Sequence, residues 1–163
     1  MTNGDKPPTE WASKEDQERF FMHRKKAQFI GMGSATFNAS QQGIFEAAKK
    51  ADNKRVVFSR DPKQYQQFLI PGRLEFEKLD IATFQKRYQH YKQMLLVSGK
   101  DIALQFFEAK LITKVEWTVE PVSFQTGIQL RSEEIPARLD LITETPLNRQ
   151  GTILRTYEVQ YSK

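Results

Sequence analysis

The chain has 163 residues, 39% hydrophobic and 12% aromatic, a composition that excludes wholesale disorder and allows one domain with tails. It contains 25 Lys and Arg against 20 Asp and Glu and no cysteine, which excludes disulfides, thiol catalysis and thiolate metal sites. The positive charge lies mainly towards the N-terminus, where residues 1–60 contain 11 basic and 7 acidic side chains. Such a field attracts polyanions or an anionic membrane surface.

Helical signals dominate the sequence up to residue 111. Residues 1–12 are predicted to form a flexible tail and residues 13–163 a single domain. The predicted helices cover residues 14–27, 39–51, 81–95 and 100–111, and a further short helix begins at Asp61-Pro62 and ends at Pro71-Gly72. The helix over residues 81–95 begins at a capping Asp80 and has one apolar stripe, formed by Ile81, Phe84, Tyr88, Tyr91 and Leu95.

Two shorter segments lie between these helices. Residues 28–40 remain open between a helix and irregular structure, because Gly31 and Gly33 argue against a stable helix. Residues 55–58, Arg-Val-Val-Phe, predict a short strand. The strand–turn–helix context that a nucleotide-binding glycine motif needs is not predicted around Gly31-Met32-Gly33.

The hydrophobic period changes from 3.6 to 2 after residue 113. Val115, Trp117 and Val119 alternate with polar residues, and the same alternation recurs over residues 137–141 and 153–161. Consecutive short strands joined by turns pair antiparallel. The sequence therefore predicts an α+β fold in which N-terminal helices pack on a curved, cone-like antiparallel sheet of three to four strands, with the helix from Asp80 covering its apolar face.

No set of residues in the sequence identifies a catalytic activity. His23 and His90 are isolated, Gly31-Met32-Gly33 resembles the start of G-x-G-x-x-G without its third glycine, and Ser98-Gly99-Lys100 lacks the upstream glycine of a P-loop. Both glycine motifs are interpreted as structural. The carboxylate pairs available for acid–base chemistry are Glu75 with Glu77 and Glu133 with Glu134. The sequence predicts no catalytic, metal-ligating or cofactor-binding residue, and no cofactor.

Two groups of residues are candidates for binding. The first is a basic group suited to a polyanion, consisting of Arg24, Lys25, Lys26, Lys49, Lys50, Lys54 and Arg55. Phenylalanines lie near it in sequence, and cations beside aromatic rings suit single-stranded nucleic acid. The second is a candidate interface or pocket on the last predicted strand, formed by Arg155, Tyr157 and Tyr161.

The sequence contains neither a secretory signal nor a run of about 20 apolar residues that could span a membrane. The default expectation is a cytoplasmic protein. A location at the periplasmic face of an inner membrane is expected only if the chain is a trimmed fragment.

The predicted order of helices followed by an antiparallel sheet resembles the nuclear-transport-factor-two-like superfamily. Within it, residues 80–161 resemble the inner-membrane assembly factors of conjugative type IV secretion, through the Pro146-Leu147 turn and a final strand from Arg155 to Val159. The resemblance implies a non-catalytic scaffold that dimerises and contacts other channel subunits. The membrane helix of that family has no counterpart in the sequence.

The leading hypothesis is accordingly a non-enzymatic protein–protein assembly or scaffold module, with a conjugation or secretion apparatus as its candidate setting. The expected partners are other protein subunits, in a homodimer or larger assembly. The first alternative is a nucleic-acid-binding accessory protein that uses the basic segment. The second alternative is a small-ligand-binding or enzymatic cone-fold domain with a pocket near Arg155 or the tyrosines.

Overall fold

The computed structural model describes residues 11–124 and 127–162, and it confirms the α+β class. The chain divides into two compact units. Met22–Ile102 forms the parallel-sheet unit, and the residues up to Phe21 together with those from Ala103 form the antiparallel-sheet unit. Most of the predicted tail lies outside the described residues. Among the residues described, none of the helices combines the length and apolar character needed to cross a membrane.

The elements follow one another along the chain with short connections. The α-helices are α1 (Lys14–Lys26), α2 (Ser34–Ala39), α3 (Gln41–Lys50), α4 (Ile81–Tyr88) and α5 (Lys100–Glu108). The strands are β1 (Phe29–Gly33), β2 (Lys54–Phe58), β3 (Leu74–Glu77), β4 (Met94–Val97), β5 (Lys114–Val119), β6 (Arg138–Pro146) and β7 (Ile153–Gln160). Short 3-10 helices cover Pro62–Phe68 and Ser132–Glu134.

The parallel-sheet unit is built on four strands in the order β3-β2-β1-β4, with every neighbouring pair parallel. Every residue of β1 and β2 is buried. One face of the sheet packs in a core with Phe37 of α2 and Ile44 of α3. Strands buried on both faces show no alternation of polar and apolar residues, so residues 29–33 lack the strand signal that residues 115–119 display. The segment left open in sequence is thus a strand followed by a helix.

The predicted helix over residues 81–95 is wrong in its second half. The chain leaves α4 after Tyr88, turns and enters β4. Leu95 therefore belongs to a strand, although its distance from Tyr88 in the sequence matches the helical spacing. The start is as expected, since the Asp80 side chain accepts a hydrogen bond from Thr83 N at 2.7 Å. Within this unit Tyr88 packs on Phe29 of the parallel sheet, with ring centroids 4.8 Å apart.

The antiparallel-sheet unit contains three strands in the order β5-β7-β6, which confirms antiparallel pairing at the C-terminus. Phe107, Ile135 and Val159 form its core, with Trp117 packed against them. A register shift between Leu141 and Thr143 interrupts the β6–β7 pairing. The predicted cone built on one curved antiparallel sheet is wrong, because β1 to β4 form a separate parallel sheet that the prediction did not contain.

Candidate functional site

The strongest candidate site lies at the carboxyl edge of the parallel sheet. Strand β1 has β2 on one side and β4 on the other, so the order of strands reverses direction beside β1. In open parallel sheets, ligands bind outside the carboxyl ends of the strands at such a reversal. The strand ends lie side by side, with Phe58 in register with both Gly33 and Glu77, and Val97 in register with Met32.

Gly33 ends β1 and directly precedes α2. A Cβ atom at this position would lie 2.9 Å from Ile102 Cδ1, closer than side chains approach. Glycine at residue 33 therefore avoids a contact with the end of the Ile102 side chain, in the first turn of α5. Gly31-Met32-Gly33 therefore lies at a strand-to-helix junction, between β1 and α2, which its sequence alone did not predict.

Gly99 connects β4 to α5 and differs from Gly33 in having open space around it. A Cβ atom at Gly99 would meet no other atom within 4 Å. Its backbone is also outside the positive φ range that favours glycine, unlike that of Gly72. Neither local packing nor backbone geometry requires glycine here, and a glycine at a strand-to-helix turn allows a ligand to approach the backbone.

Backbone donors and two cations at this edge suit an anionic ligand, while the first turn of α5 also carries the acidic Asp101. α5 has nine residues, and the start of a helix presents backbone N–H groups and the positive end of the helix dipole. The exposed cations Arg60 and Lys78 follow β2 and β3. Ser59 fixes the turn before Arg60, because its N–H donates to Glu77 O at 2.9 Å and its Oγ accepts from Asp61 N at 3.1 Å.

Glu75 and Glu77 lie on one face of β3, as the sequence suggested, but they belong to an ion-pair network. Arg87 binds Glu75 at 3.0 Å and Glu77 at 2.7 Å, the buried Lys54 ammonium contacts Glu75, and Tyr88 Oη donates to Glu77 at 3.1 Å. Burial raises the pKa of Glu77. Burial also acts to raise the pKa of Glu75, but hydrogen bonds and the charges of Lys54 and Arg87 bring it below its usual value. The pair therefore stabilises β3 and α4 rather than presenting free carboxylates.

The basic candidates are divided among three elements of the parallel-sheet unit. Arg24, Lys25 and Lys26 lie in the last turn of α1, and Lys49 and Lys50 in the last turn of α3. Lys54 and Arg55 are buried in β2. Lys49 is paired with Glu46 at 2.8 Å and Lys54 with Glu75. Binding of a polyanion by this group stays a prediction.

The second candidate group lies on or just after β7 in the antiparallel-sheet unit. Arg155 Nε donates to Glu144 on the neighbouring strand at 2.6 Å. The Tyr157 ring packs edge-on against Trp117 with centroids 5.3 Å apart, and Tyr161 Oη donates to Ile112 O at 2.9 Å. Each side chain has a partner within the unit, and their role as an interface or pocket stays a prediction.

A concave region of about 360 Å³ also lies in the antiparallel-sheet unit, beside Trp11. Its polar groups bind one another. Thr152 Oγ1 donates to Glu120 at 2.7 Å, and Asn148 Nδ2 donates to Glu15 at 3.0 Å and to Thr152 Oγ1 at 2.9 Å. These bonds hold the start of α1 and the turn before β7 in place, so the groups act as structural links.

The remaining catalytic candidates are dispersed. His90 packs on the ring of Tyr91 at 4.2 Å, and Glu134 accepts a hydrogen bond from the backbone of Arg131 at 2.9 Å. Within residues 11–124 and 127–162, no three His, Asp or Glu side chains converge to hold a metal ion. The carboxyl edge of the parallel sheet is thus the best-supported site.

The sequence matches no protein family and no curated protein. Solved structures do resemble the fold. Acinetobacter baumannii RibD aligns with a TM-score of 0.64 and 13% identity over 98% of this chain and 53% of that chain, so this chain spans about half of it. A pyrimidine reductase-like protein from Corynebacterium diphtheriae aligns with a TM-score of 0.69 and 15% identity over 99% and 87%. The Saccharomyces riboflavin biosynthesis reductase Rib7 aligns at 0.58 and 11% over 91% and 82%.

These likenesses correct the resemblance drawn from the sequence. The chain has the fold of RibD-like and pyrimidine reductase-like proteins, so the comparison with nuclear-transport-factor-two-like domains and type IV secretion assembly factors is wrong. The prediction of a conjugation scaffold depended on that comparison, and the prediction of a non-enzymatic protein depended also on the lack of a recognisable catalytic set in the sequence. These reductase-like neighbours contradict both. The misleading features, a Pro-Leu turn and alternating strands over residues 137–161, are common to antiparallel hairpins of unrelated folds.

Proposed function

We propose that this chain is a reductase-type enzyme that binds a reduced nicotinamide dinucleotide at the carboxyl edge of its parallel sheet and reduces a pyrimidine-like heterocycle. The observation that carries the proposal is the reversal of strand order beside β1, with Gly33 and Gly99 at the two adjacent strand ends. The pyrimidine reductase-like protein and the riboflavin biosynthesis reductase among the structural neighbours support the class of reaction.

The residues at this edge fit the phosphates of such a cofactor. A pyrophosphate needs backbone N–H donors, nearby cations and room to approach the chain. The start of α5, the open space at Gly99 and the exposed Arg60 and Lys78 meet these needs. A reduced nicotinamide dinucleotide supplies a hydride when bound. The residues of this chain would hold its phosphates, through the backbone at the start of α5 and the cations Arg60 and Lys78.

Gly99→Asp is expected to weaken binding of the reduced dinucleotide by about 10- to 100-fold, since a carboxylate would stand where the phosphates approach. The folded chain should tolerate the change, because a Cβ atom at residue 99 meets no atom within 4 Å and Asp is a favourable residue before a helix. Calorimetric titration of NADPH and NADH measures the affinity, and thermal unfolding measures the stability.

Two variants serve as controls for this experiment. Gly99→Asn has nearly the same shape as Gly99→Asp without the charge, so the difference between the two isolates repulsion of the phosphates. Gly43→Asp introduces the same carboxylate on α3, at another glycine with open space around it, and should leave the affinity unchanged. Equal affinity of all variants and wild type, or no binding by wild type, would refute the proposed function.

A further inference from the structure

The side chain of Arg55 is buried in the parallel-sheet unit without a hydrogen-bond acceptor. Only 3% of the residue is exposed, and neither Nε nor Nη1 has a partner in the described part of the chain. The backbone N–H of Arg55 is satisfied, because it donates to Arg73 O at 2.7 Å. The unmet donors therefore belong to the charged guanidinium group.

The sheet around Arg55 supplies no counter-ion. In register with it are Ile30 on β1 and Leu74 on β3, both apolar and almost fully buried. Successive side chains of a strand point to opposite faces. Lys54 and the carboxylate that pairs with it therefore lie on the other face of the sheet from Arg55.

The positive charge of a second guanidinium, that of Arg24, also acts on Arg55. Burial, together with the positive charge of Arg24, lowers the pKa of Arg55 to about 10, so the group stays charged at neutral pH. Burial also lowers the pKa of Arg24. Asn53 holds the two elements together, since its Nδ2 donates to Arg24 O at 2.8 Å.

A buried guanidinium with unmet donors, next to the positive charge of the half-buried Arg24, is an unfavourable arrangement for Arg55 on its own. Buried charges in proteins are paired or hydrogen-bonded because desolvation otherwise disfavours them. A carboxylate or phosphate oxygen would satisfy the N–H donors of Arg55 and offset the repulsion from Arg24 at once. Arginine is well suited to this task, because its planar guanidinium matches the geometry of an oxyanion.

We propose that Arg55, assisted by Arg24, binds one small oxyanion, a carboxylate or phosphate group, at the amino-terminal end of β2. This site is independent of the dinucleotide site at the carboxyl edge. A single oxyanion fits better than a nucleic-acid strand, because Arg55 is enclosed and its neighbour Lys54 is directed to the opposite face and paired with Glu75.

The test follows the Arg55 Nε–H signal in ¹⁵N–¹H correlation spectra of the full chain during titration with sodium phosphate or sodium acetate. Sodium chloride keeps the ionic strength constant. The proposal predicts a saturable shift of the Arg55 signal and a rise in the melting temperature. A shift with phosphate alone identifies a phosphate site, and a shift with both identifies a general oxyanion site. No shift, or an equal response to chloride, overturns the proposal.

Variants connect the response to this residue and separate it from the dinucleotide site. Arg55→Met should lose the anion-dependent rise in melting temperature, whereas Arg149→Met, which removes an exposed charge from the antiparallel-sheet unit, should retain it. Gly99→Asp should retain it as well, so failure of the dinucleotide proposal leaves this one intact. If Arg55→Met does not fold, the wild-type titration decides alone. An anion response that survives in a folded Arg55→Met overturns the proposal.

Discussion

Phe37→Ala is expected to lower the free energy of unfolding by about 3–5 kcal/mol, the cost of removing a large aromatic side chain from a packed core. Phe37 is 0% exposed. Its ring packs edge-on against three others, with centroid distances of 5.5 Å to Tyr65, 5.5 Å to Phe68 and 5.1 Å to Phe76. These rings come from the 3-10 helix and β3, so alanine would leave a cavity bounded by several elements that cannot all collapse into it.

The same substitution bears on the candidate site, because Phe37 is the buried residue of α2, which begins directly after Gly33.

 Phe37→Ala should therefore also lower the affinity for the dinucleotide, because α2 would no longer be held in place directly after Gly33. Urea unfolding followed by circular dichroism measures the stability. Phe21→Ala is the control, since Phe21 is 58% exposed and its loss should cost less than about 1 kcal/mol. Similar losses for both variants would contradict the described core.

Several elements predicted from sequence have one buried and one exposed side, whereas α1, which has no buried residue, and the fully buried β2 were predicted without such a pattern. The helix over residues 100–111 is observed as α5, and the helix over residues 39–51 as α3. The alternation around Trp117 predicted β5 for the same reason. Where one side of an element faces water, the spacing of apolar residues in the sequence follows the period of the helix or strand.

The strands β1 and β4 were missed because their sequences do not alternate between polar and apolar residues. All five residues of β1 are buried, so polar residues do not alternate with apolar ones. In β4, Leu95 lies seven residues after Tyr88 and continues a helical stripe by coincidence. A short apolar segment cannot be assigned to helix or strand from its period alone. β3 was not predicted either, so β2 had no parallel partner in the sequence-based prediction, which placed all sheet strands in the C-terminal part of the chain.

The candidate site was missed for the same reason, although the sequence does contain a signal for it. Three of the four parallel strands are followed directly by a serine, namely Ser34 after β1, Ser59 after β2 and Ser98 after β4. Ligands bind outside the carboxyl ends of the strands in open parallel sheets, so small polar residues at three neighbouring strand ends are a signal for such an edge. The repetition becomes visible only once β1 and β4 are recognised as strands.

Glu75→Gln is expected to lower the free energy of unfolding by about 3 kcal/mol, because it leaves a buried ammonium without its counter-ion. The side chain of Lys54 is 8% exposed and that of Glu75 20%, so the loss should fall at the lower end of the range for buried pairs. Arg87 would keep Glu77 as a partner. Glu77→Gln is the matched control on the same strand and should cost less, since burial already disfavours the ionised form of Glu77.

The pH dependence distinguishes the two carboxylates. The pKa of Glu75 is lowered in the folded chain, so its stabilisation is complete above the ordinary value of 4.5 and is lost as the pH falls through the folded pKa. The pKa of Glu77 is raised, so its effect has the opposite sign: stability is gained below 4.5 and lost as the pH rises through the folded pKa. The free energy of unfolding is measured across this pH range. Its fall at acid pH should be smaller in Glu75→Gln, and its fall above pH 4.5 should be smaller in Glu77→Gln. If neither variant changes the profile, these carboxylates do not form the network that joins β3 to α4.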